Sequence, residues 1–233
     1  MKTIVVGDIH GRNCWKKIVN QPFDKVVFLG DYVDSKEGIY PVEQKHNLLE
    51  IIDFKKNNKD KAVLLIGNHD FHYFSFSRKN YSGYQSAVRF DFQEIFEKSL
   101  REQLIQMCHS QGKFLFTHAG LSRTWSKNNF GKEALEKGEV EEKLNELFFN
   151  KPLSFDFTSG MYIDPYGNEA CQTPIWIRPE ALREDFVRGY VHVVGHTIQH
   201  DSVSIEKNII LNDALSIGQY LIIENNVPRI AYI

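Results

Sequence analysis

Five short apolar runs in this chain end alike, on a carboxylate, an imidazole or an amide with glycine close by. The clearest is Ala62-Val63-Leu64-Leu65-Ile66, followed at once by Gly67-Asn68-His69-Asp70. Runs of this length read as buried strands, and the carboxyl ends of strands are where open α/β sheets bind ligands. The same pattern takes Thr3–Val6 into Gly7-Asp8-Ile9-His10-Gly11 and Lys25–Leu29 into Gly30-Asp31-Tyr32-Val33-Asp34. Lys113–Phe116 runs into Thr117-His118-Ala119-Gly120, and Val191–Val194 into Gly195-His196-Thr197.

Helical spacing fills the gaps between the first runs. Trp15, Ile18 and Val19 share one face, and a helix from about Val42 to Lys56 presents Leu48, Leu49, Ile51 and Ile52. Alternating strand and helix argues for an α/β fold with strands side by side. Longer helical regions are expected from about Tyr84 to His109 and from Asn128 to Phe149, the latter breaking at Gly138. A loop is expected over 151–173 and a short helix from Pro179, a favourable first-turn residue. The tail changes to short β runs: Val203–Ile205, Ile209–Leu211, Leu221–Glu224 and Arg229–Tyr232, with Asn225-Asn226 as a hairpin tip. They suggest a mixed or antiparallel second sheet. No repeat or linker divides the chain, so one domain over 1–233 is expected, with cap or insert segments at 71–110 and 121–173.

The net charge is −2 and the basic residues are dispersed, which leaves no electrostatic footprint for nucleic acid or an anionic membrane. No run approaches membrane-spanning length, and Thr3–Val6 is too short for a signal peptide. The cysteines Cys14, Cys108 and Cys171 are far apart and form no CxxC pair, which argues against a disulfide framework or a thiolate zinc site. A cytoplasmic location is expected.

Together the strand tips supply carboxylate, imidazole and amide oxygen without thiolate, a donor set suited to Mn²⁺, Fe or Zn²⁺. Two such ions about 3.5–4 Å apart, bridged by a carboxylate, form a clamp for phosphoryl displacement and provide a hydroxide nucleophile at neutral pH. The five motifs, in this order, resemble those of the calcineurin-like metallophosphoesterases, in the branch of serine/threonine phosphoprotein phosphatases and symmetrical dinucleoside tetraphosphatases. The resemblance runs from Met1 to about Thr197. It implies a four-layer α/β/β/α sandwich of two mixed sheets flanked by helices, around a dinuclear centre. By motif position, Asp8 and His10 hold the first metal, Asp31 bridges, and Asn68, His118 and His196 complete the second. His69 is the general acid, oriented by Asp34.

Ile198 stands where many metallophosphoesterases, phosphodiesterases included, carry a second histidine, as the phosphatase-like branch would have it. Trp176-Ile177-Arg178 resembles a Trp-x-Arg segment in which the arginine grips substrate phosphate, a bidentate task suited to guanidinium. One departure stands out. Ser35-Lys36 occupies the place of the family's Arg-Gly, so phosphate is left to Lys36 or another cation, to Arg123, or to the metals with Arg178.

Other polar residues read more plainly. His46, His72, His109, His192 and His200 carry no motif and read as surface or hydrogen-bonded core side chains, and Asp213 as a turn residue. Phe71, Tyr73, Phe74, Phe76, Tyr81 and Tyr84 read as packing over the core. The charged run from Glu133 to Glu146 reads as a solvated helix face. The expected activity is metal-dependent hydrolysis of a phosphomonoester, in the manner of a serine/threonine protein phosphatase, on a phosphoprotein or a nucleotide. Dinucleoside polyphosphate hydrolysis is the alternative, with phosphodiesterase, nuclease or non-catalytic scaffold ranked lower.

Overall fold

The computed structural model describes residues 1–160 and 164–233. Its strands are β1 (Lys2–Val6), β2 (Lys25–Phe28), β3 (Ala62–Leu64), β4 (His109–Gln111), β5 (Phe114–Phe116), β6 (Val191–Ile198), β7 (Ser204–Ile205), β8 (Ile209–Asp213), β9 (Gln219–Glu224) and β10 (Val227–Tyr232). Its helices are α1 (Trp15–Ile18), α2 (Pro41–Asn57), α3 (Asn68–Phe71), α4 (Arg89–Arg101), α5 (Arg123–Lys137), α6 (Val140–Asn150) and α7 (Pro179–Asp185). Among the described residues no helix is long and apolar enough to cross a membrane.

The strands form two mixed five-stranded sheets, in the orders β10-β9-β1-β2-β3 and β4-β5-β6-β8-β7. Within them β1, β2 and β3 are parallel, as are β5, β6 and β8. Side chains alternate across each strand. Val5, Val27, Leu29 and Val63 point towards Phe114, Phe116, Val193 and Ile210 between the sheets. Ile4, Val6, Val26 and Phe28 point the other way, onto Trp15 and Ile18 of α1 and Leu48, Ile51 and Ile52 of α2. On the far side, Val194, Ile209 and Leu211 pack on Ala181 and Leu182 of α7. Both faces of the parallel strands are therefore buried, which is why they read as unbroken apolar runs. The layer order is the expected one, helix, sheet, sheet, helix.

Several expectations need correction. The tail does not build a second sheet by itself: β7 and β8 join β5 and β6, while β9 and β10 close the edge of the first sheet beside β1. The fourth and fifth apolar runs likewise belong to the second sheet. The helix expected to reach His109 ends at Arg101. Gln103 turns the chain with φ +54°, and Gln106 then pairs with the end of β3, its N–H donating to Leu64 O at 2.9 Å. Helix α5 starts at Arg123 rather than Asn128, because Ser122 Oγ accepts the Trp125 N–H at 3.0 Å as an N-cap. The break at Gly138 is present, with φ +73°.

Asn225 and Asn226, at φ +52° and +64°, make the β9–β10 hairpin tip as expected, both in the conformation a two-residue turn requires. The aromatic segment after α3 packs as expected too: Phe71 and Phe74 are buried against Phe148 of α6. Each such buried ring contributes about 1.5–3 kcal/mol by area. The loop expected over 151–173 includes residues 161–163, which lie outside the described residues.

Candidate metal centre

The polar tips of β1, β2, β3 and β5 meet the bulged end of β6 along one edge of the two packed sheets. Asp8 and His10 follow β1, Asp31 and Asp34 follow β2, Asn68 and His69 open α3 after β3, and His118 follows β5. His196 sits in β6, where the pairing to β8 slips between Val194 and Ile198. Four of these residues, His10, Asp31, Asp34 and His196, have φ between +44° and +61°. Non-glycine residues pay a steric cost there, and they persist at sites where the surrounding structure over-determines them.

Two glycines let backbone approach carboxylate. A Cβ added to Gly67 would collide with Asp31 Oδ1, and one added to Gly195 with Asp8 Oδ1. Asp70 fastens the tips together. Its buried carboxylate accepts N–H groups from Asp31 and Tyr32, both at 2.8 Å, and from Gly67 at 2.9 Å.

The imidazoles show which nitrogens face the centre. His10 Nδ1 lies 2.8 Å from Val33 O, His118 Nδ1 2.8 Å from Leu29 O, and His196 Nε2 3.1 Å from Trp176 O. A carbonyl only accepts, so each of those nitrogens carries the proton and the opposite one offers a lone pair. Those lone pairs converge. His118 Nε2 and His196 Nδ1 stand 3.0 and 2.9 Å from Asn68 Oδ1. Asp31 Oδ2 lies 3.4 Å from His118 Nε2 and 3.8 Å from His10 Nε2, between the two groups. Acceptors facing acceptors without a proton between them fit a cation at their centre, and imidazoles braced by carbonyls are the usual form of metal ligand. Asp8, His10 and Asp31 also bring ligand atoms within 4.8 Å of one another.

Charge supports the same fit. Burial pushes Asp8 well above the usual carboxylate range, with Asp213 and Asp31 adding to it. Burial also raises Asp31, but His118, His69 and His10 outweigh it and hold that carboxyl well below its ordinary value. Burial lowers His10 and His196, which suits neutral ligands. Asp213, expected to be a turn residue, ends β8 inside the same cavity, where burial and then Asp31 raise it to about 6. The signal for it was the apolar run Ile209–Leu211, which ends near a carboxylate as the other strand tips do.

That excess negative charge gives a test. A folded-state pKa of about 6 against 3.8 means that the unfolded chain releases this proton first, so stability falls as pH rises from about 4 to 6 and stays reduced above. In metal-stripped protein, Asp213→Asn should therefore gain up to about 3 kcal/mol at pH 8 and almost nothing near pH 4, read from urea midpoints. An equal effect at both pH values would remove charge as the cause.

His69 stands beside this group and lines the same cavity of about 440 Å³. Its Nδ1 is 3.0 Å from Asp34 Oδ2. Burial lowers its pKa, but Asp31 and then Asp34 outweigh burial and leave it above its ordinary value. Asp34 lies behind it, fully covered, and also accepts from Tyr73 OH at 2.6 Å and Gln85 Nε2 at 3.0 Å. The two residues expected to work together are in contact. His72, read from sequence as having no special role, places Nε2 2.7 Å from Asp34 Oδ2.

Arg178 lines the cavity, with Nη1 3.2 Å from both His196 O and Thr197 Oγ1. Lys36 lines it as well, and so does Arg12, which is held by Glu37 at 2.6 Å. Arg123 is corrected: it pairs with Asp185 at 3.0 Å and does not line the cavity.

Comparison with known proteins agrees with this geometry. Residues 1–200 match the calcineurin-like phosphoesterase family. Similar proteins include the symmetrical bis(5'-nucleosyl)-tetraphosphatase of Methylobacillus flagellatus, 28% identical over 61% of this chain and 50% of that protein. The enzyme of the same name from Nitrosospira multiformis is 25% identical over 65% and 58%. The chain thus spans between half and three-fifths of the length of these relatives. Among solved structures, a cold-active protein-tyrosine phosphatase of a psychrophilic Shewanella shares the fold with TM-score 0.61 at 18% identity, over 99% of this chain and 77% of that one. A protein serine/threonine phosphatase from Saccharomyces cerevisiae does so with TM-score 0.53 at 16% identity, over 91% and 66%. With the family match covering every strand tip that feeds the convergent donors, this chain belongs to the calcineurin-like phosphoesterases.

Proposed function

We propose that this chain hydrolyses phosphoric esters at a centre of two divalent ions. Asp8, His10 and Asp31 would hold one ion, and Asp31, Asn68, His118 and His196 the other. Mn²⁺ is the first choice for this thiolate-free set, with Fe or Zn²⁺ as alternatives. The observation that carries the reading is that three carbonyl-braced imidazoles converge, His10 and His118 on Asp31 Oδ2 and His118 and His196 on Asn68 Oδ1. Bound ions would supply Lewis acidity towards the phosphoryl oxygens and an activated water.

The chain's own groups do the rest. Arg178 and Lys36 offer cations to the phosphate oxygens in place of the arginine missing at Ser35. His69, with Nδ1 occupied by Asp34, has Nε2 left to give a proton to the departing oxygen. The raised affinity of His69 for its proton favours the acid form that this role needs. The unpaired thiols of Cys14, Cys108 and Cys171 fit the reducing cytoplasm, where we place the reaction.

A phosphomonoester on a phosphoprotein is the leading substrate, supported by Ile198 in place of a second histidine at the end of β6. Hydrolysis of dinucleoside polyphosphates is the second reading, favoured by the activity for which the similar tetraphosphatases are named. Metal-stripped protein re-supplied with Mn²⁺ should turn over p-nitrophenyl phosphate and a phosphoserine peptide faster than diadenosine tetraphosphate. The reverse preference would transfer the assignment to polyphosphates. No turnover of any of them with both ions bound would overturn the phosphoesterase reading.

A further inference from the structure

One helical turn brings two imidazoles onto a single carboxylate. His69 and His72 are three residues apart across the one-turn helix α3 and its C-cap, and side chains at that spacing share a face. His69 Nδ1 and His72 Nε2 stand 3.0 and 2.7 Å from the same atom, Asp34 Oδ2. The other oxygen, Oδ1, is taken by Tyr73 OH at 2.6 Å and Gln85 Nε2 at 3.0 Å. Asp34 therefore accepts three hydrogen bonds, from His69, Tyr73 and Gln85, and has His72 Nε2 in close contact as a fourth polar neighbour.

We propose that His72 is a positioning residue for the general acid: it holds Asp34 Oδ2 so that Asp34 can hold His69. The tautomer supports this. The Tyr81 backbone N–H donates to His72 Nδ1 at 3.2 Å, so the His72 proton sits on Nε2, the atom nearest Asp34. The contact is short but bent, and buried Nε2 has no aligned acceptor among the described residues. Catalytic hydrogen bonds are commonly misaligned before substrate arrives.

His72 is also anchored from outside the turn. Its ring lies parallel to Tyr81, 6.0 Å between centroids, and Tyr81 packs on Trp176 at 4.4 Å. Trp176 lines the metal cavity and accepts from His196 through its carbonyl. The aromatic segment after α3 thus fixes His72 as well as covering the core. Without His72, Asp34 Oδ2 keeps only one donor among the described residues, and the carboxylate can rotate away from His69. The same three side chains have ligand atoms close enough to hold a metal, but Asp34 already accepts from His69, Tyr73 and Gln85.

This role rests on the phosphoesterase reading, so the test pairs a kinetic arm with one that needs no turnover. His72→Leu removes the donor, and His72→Gln keeps an amide donor of similar reach. On a phosphoserine peptide, whose alkoxide leaves only with a proton, His72→Leu should lower kcat about 10–100-fold, with KM and metal content unchanged. On p-nitrophenyl phosphate, a far better leaving group, the loss should be small, and His72→Gln should restore most of the peptide rate. In a His69→Asn background, His72→Leu should add nothing, because positioning has no object once the acid is gone.

The second arm is ¹⁵N-histidine NMR of the folded protein. It should show a protonated His69 Nδ1 that exchanges slowly in wild type and in His72→Gln, and fast in His72→Leu. Equal losses on both substrates, an undiminished loss in the His69→Asn background, an unchanged His69 signal, or a bound metal that disappears with His72 would each overturn the proposal. If wild type turned over no phosphoester at all, the NMR result would still decide the positioning claim.

Discussion

His69→Asn is expected to lower kcat on a phosphoserine peptide by about 10²–10⁴-fold, the usual contribution of a well-placed general acid. The effect should depend on the leaving group. A serine alkoxide is a poor leaving group and needs its proton as the ester bond breaks, whereas p-nitrophenolate departs without one. The same variant should therefore lose much less on p-nitrophenyl phosphate, and the ratio of the two rates is the diagnostic quantity. Asparagine can keep a hydrogen bond towards Asp34 and leaves the His69 backbone N–H donating to Asp31 Oδ1 at 2.9 Å. Metal content and thermal stability should hardly change. Equal losses on both substrates would mean that His69 acts on the centre as a whole and not on the leaving oxygen.

That His69 and Asp34 would meet was legible from sequence because they lie in two motifs, each directly after an apolar run. The same holds for all six proposed ligands. A strand buried on both faces is a continuous apolar run, and the residues after it must emerge at the sheet edge, so the chemistry announced itself by position. His72 was not legible in that way, and Asp213 only in part. His72 carries its information in a three-residue spacing from His69, which also suits ordinary packing. Asp213 comes after a β run in the tail, and its place beside Asp8 depends on which sheet β8 joins.

Sheet membership was the main thing that local pattern could not provide. β3, β4 and β5 have three residues each, too few to specify a partner, and pairing is set by side chains far away in sequence. The tail shows this well. β8 and β9 are both apolar and separated by only a short turn, yet they belong to different sheets. The early start of α5 was readable in principle from Ser122, three residues before Trp125, but a cap without a following apolar stripe is easily passed over. The role suggested for Arg123 failed for a related reason. Closeness to His118 in sequence says nothing about direction, and as the first residue of α5 Arg123 meets Asp185 at the end of α7.

The largest loss should come from Asp31→Asn. Asp31 is the point where the two donor groups meet: Oδ2 lies 3.4 Å from His118 Nε2 and 3.8 Å from His10 Nε2, while Oδ1 accepts the His69 N–H. An amide keeps the shape and Oδ1, so the backbone at φ +52°, tied by its own N–H to Asp70, has no reason to move. What disappears is one negative charge and the ability of one side chain to serve two cations. Lewis-acid stabilisation by bound ions is worth several kcal/mol, so kcat/KM should fall by about 10³-fold or more. Metal analysis should show fewer than two ions per chain. The rise in Tm on adding Mn²⁺, which tracks the affinity of the folded state for the ion, should shrink in parallel. The metal-dependent Tm shift separates two explanations of an inactive protein. If activity vanished while two ions still bound and still stabilised the fold, Asp31 would not be the bridge, and the two donor groups would have to hold their ions independently.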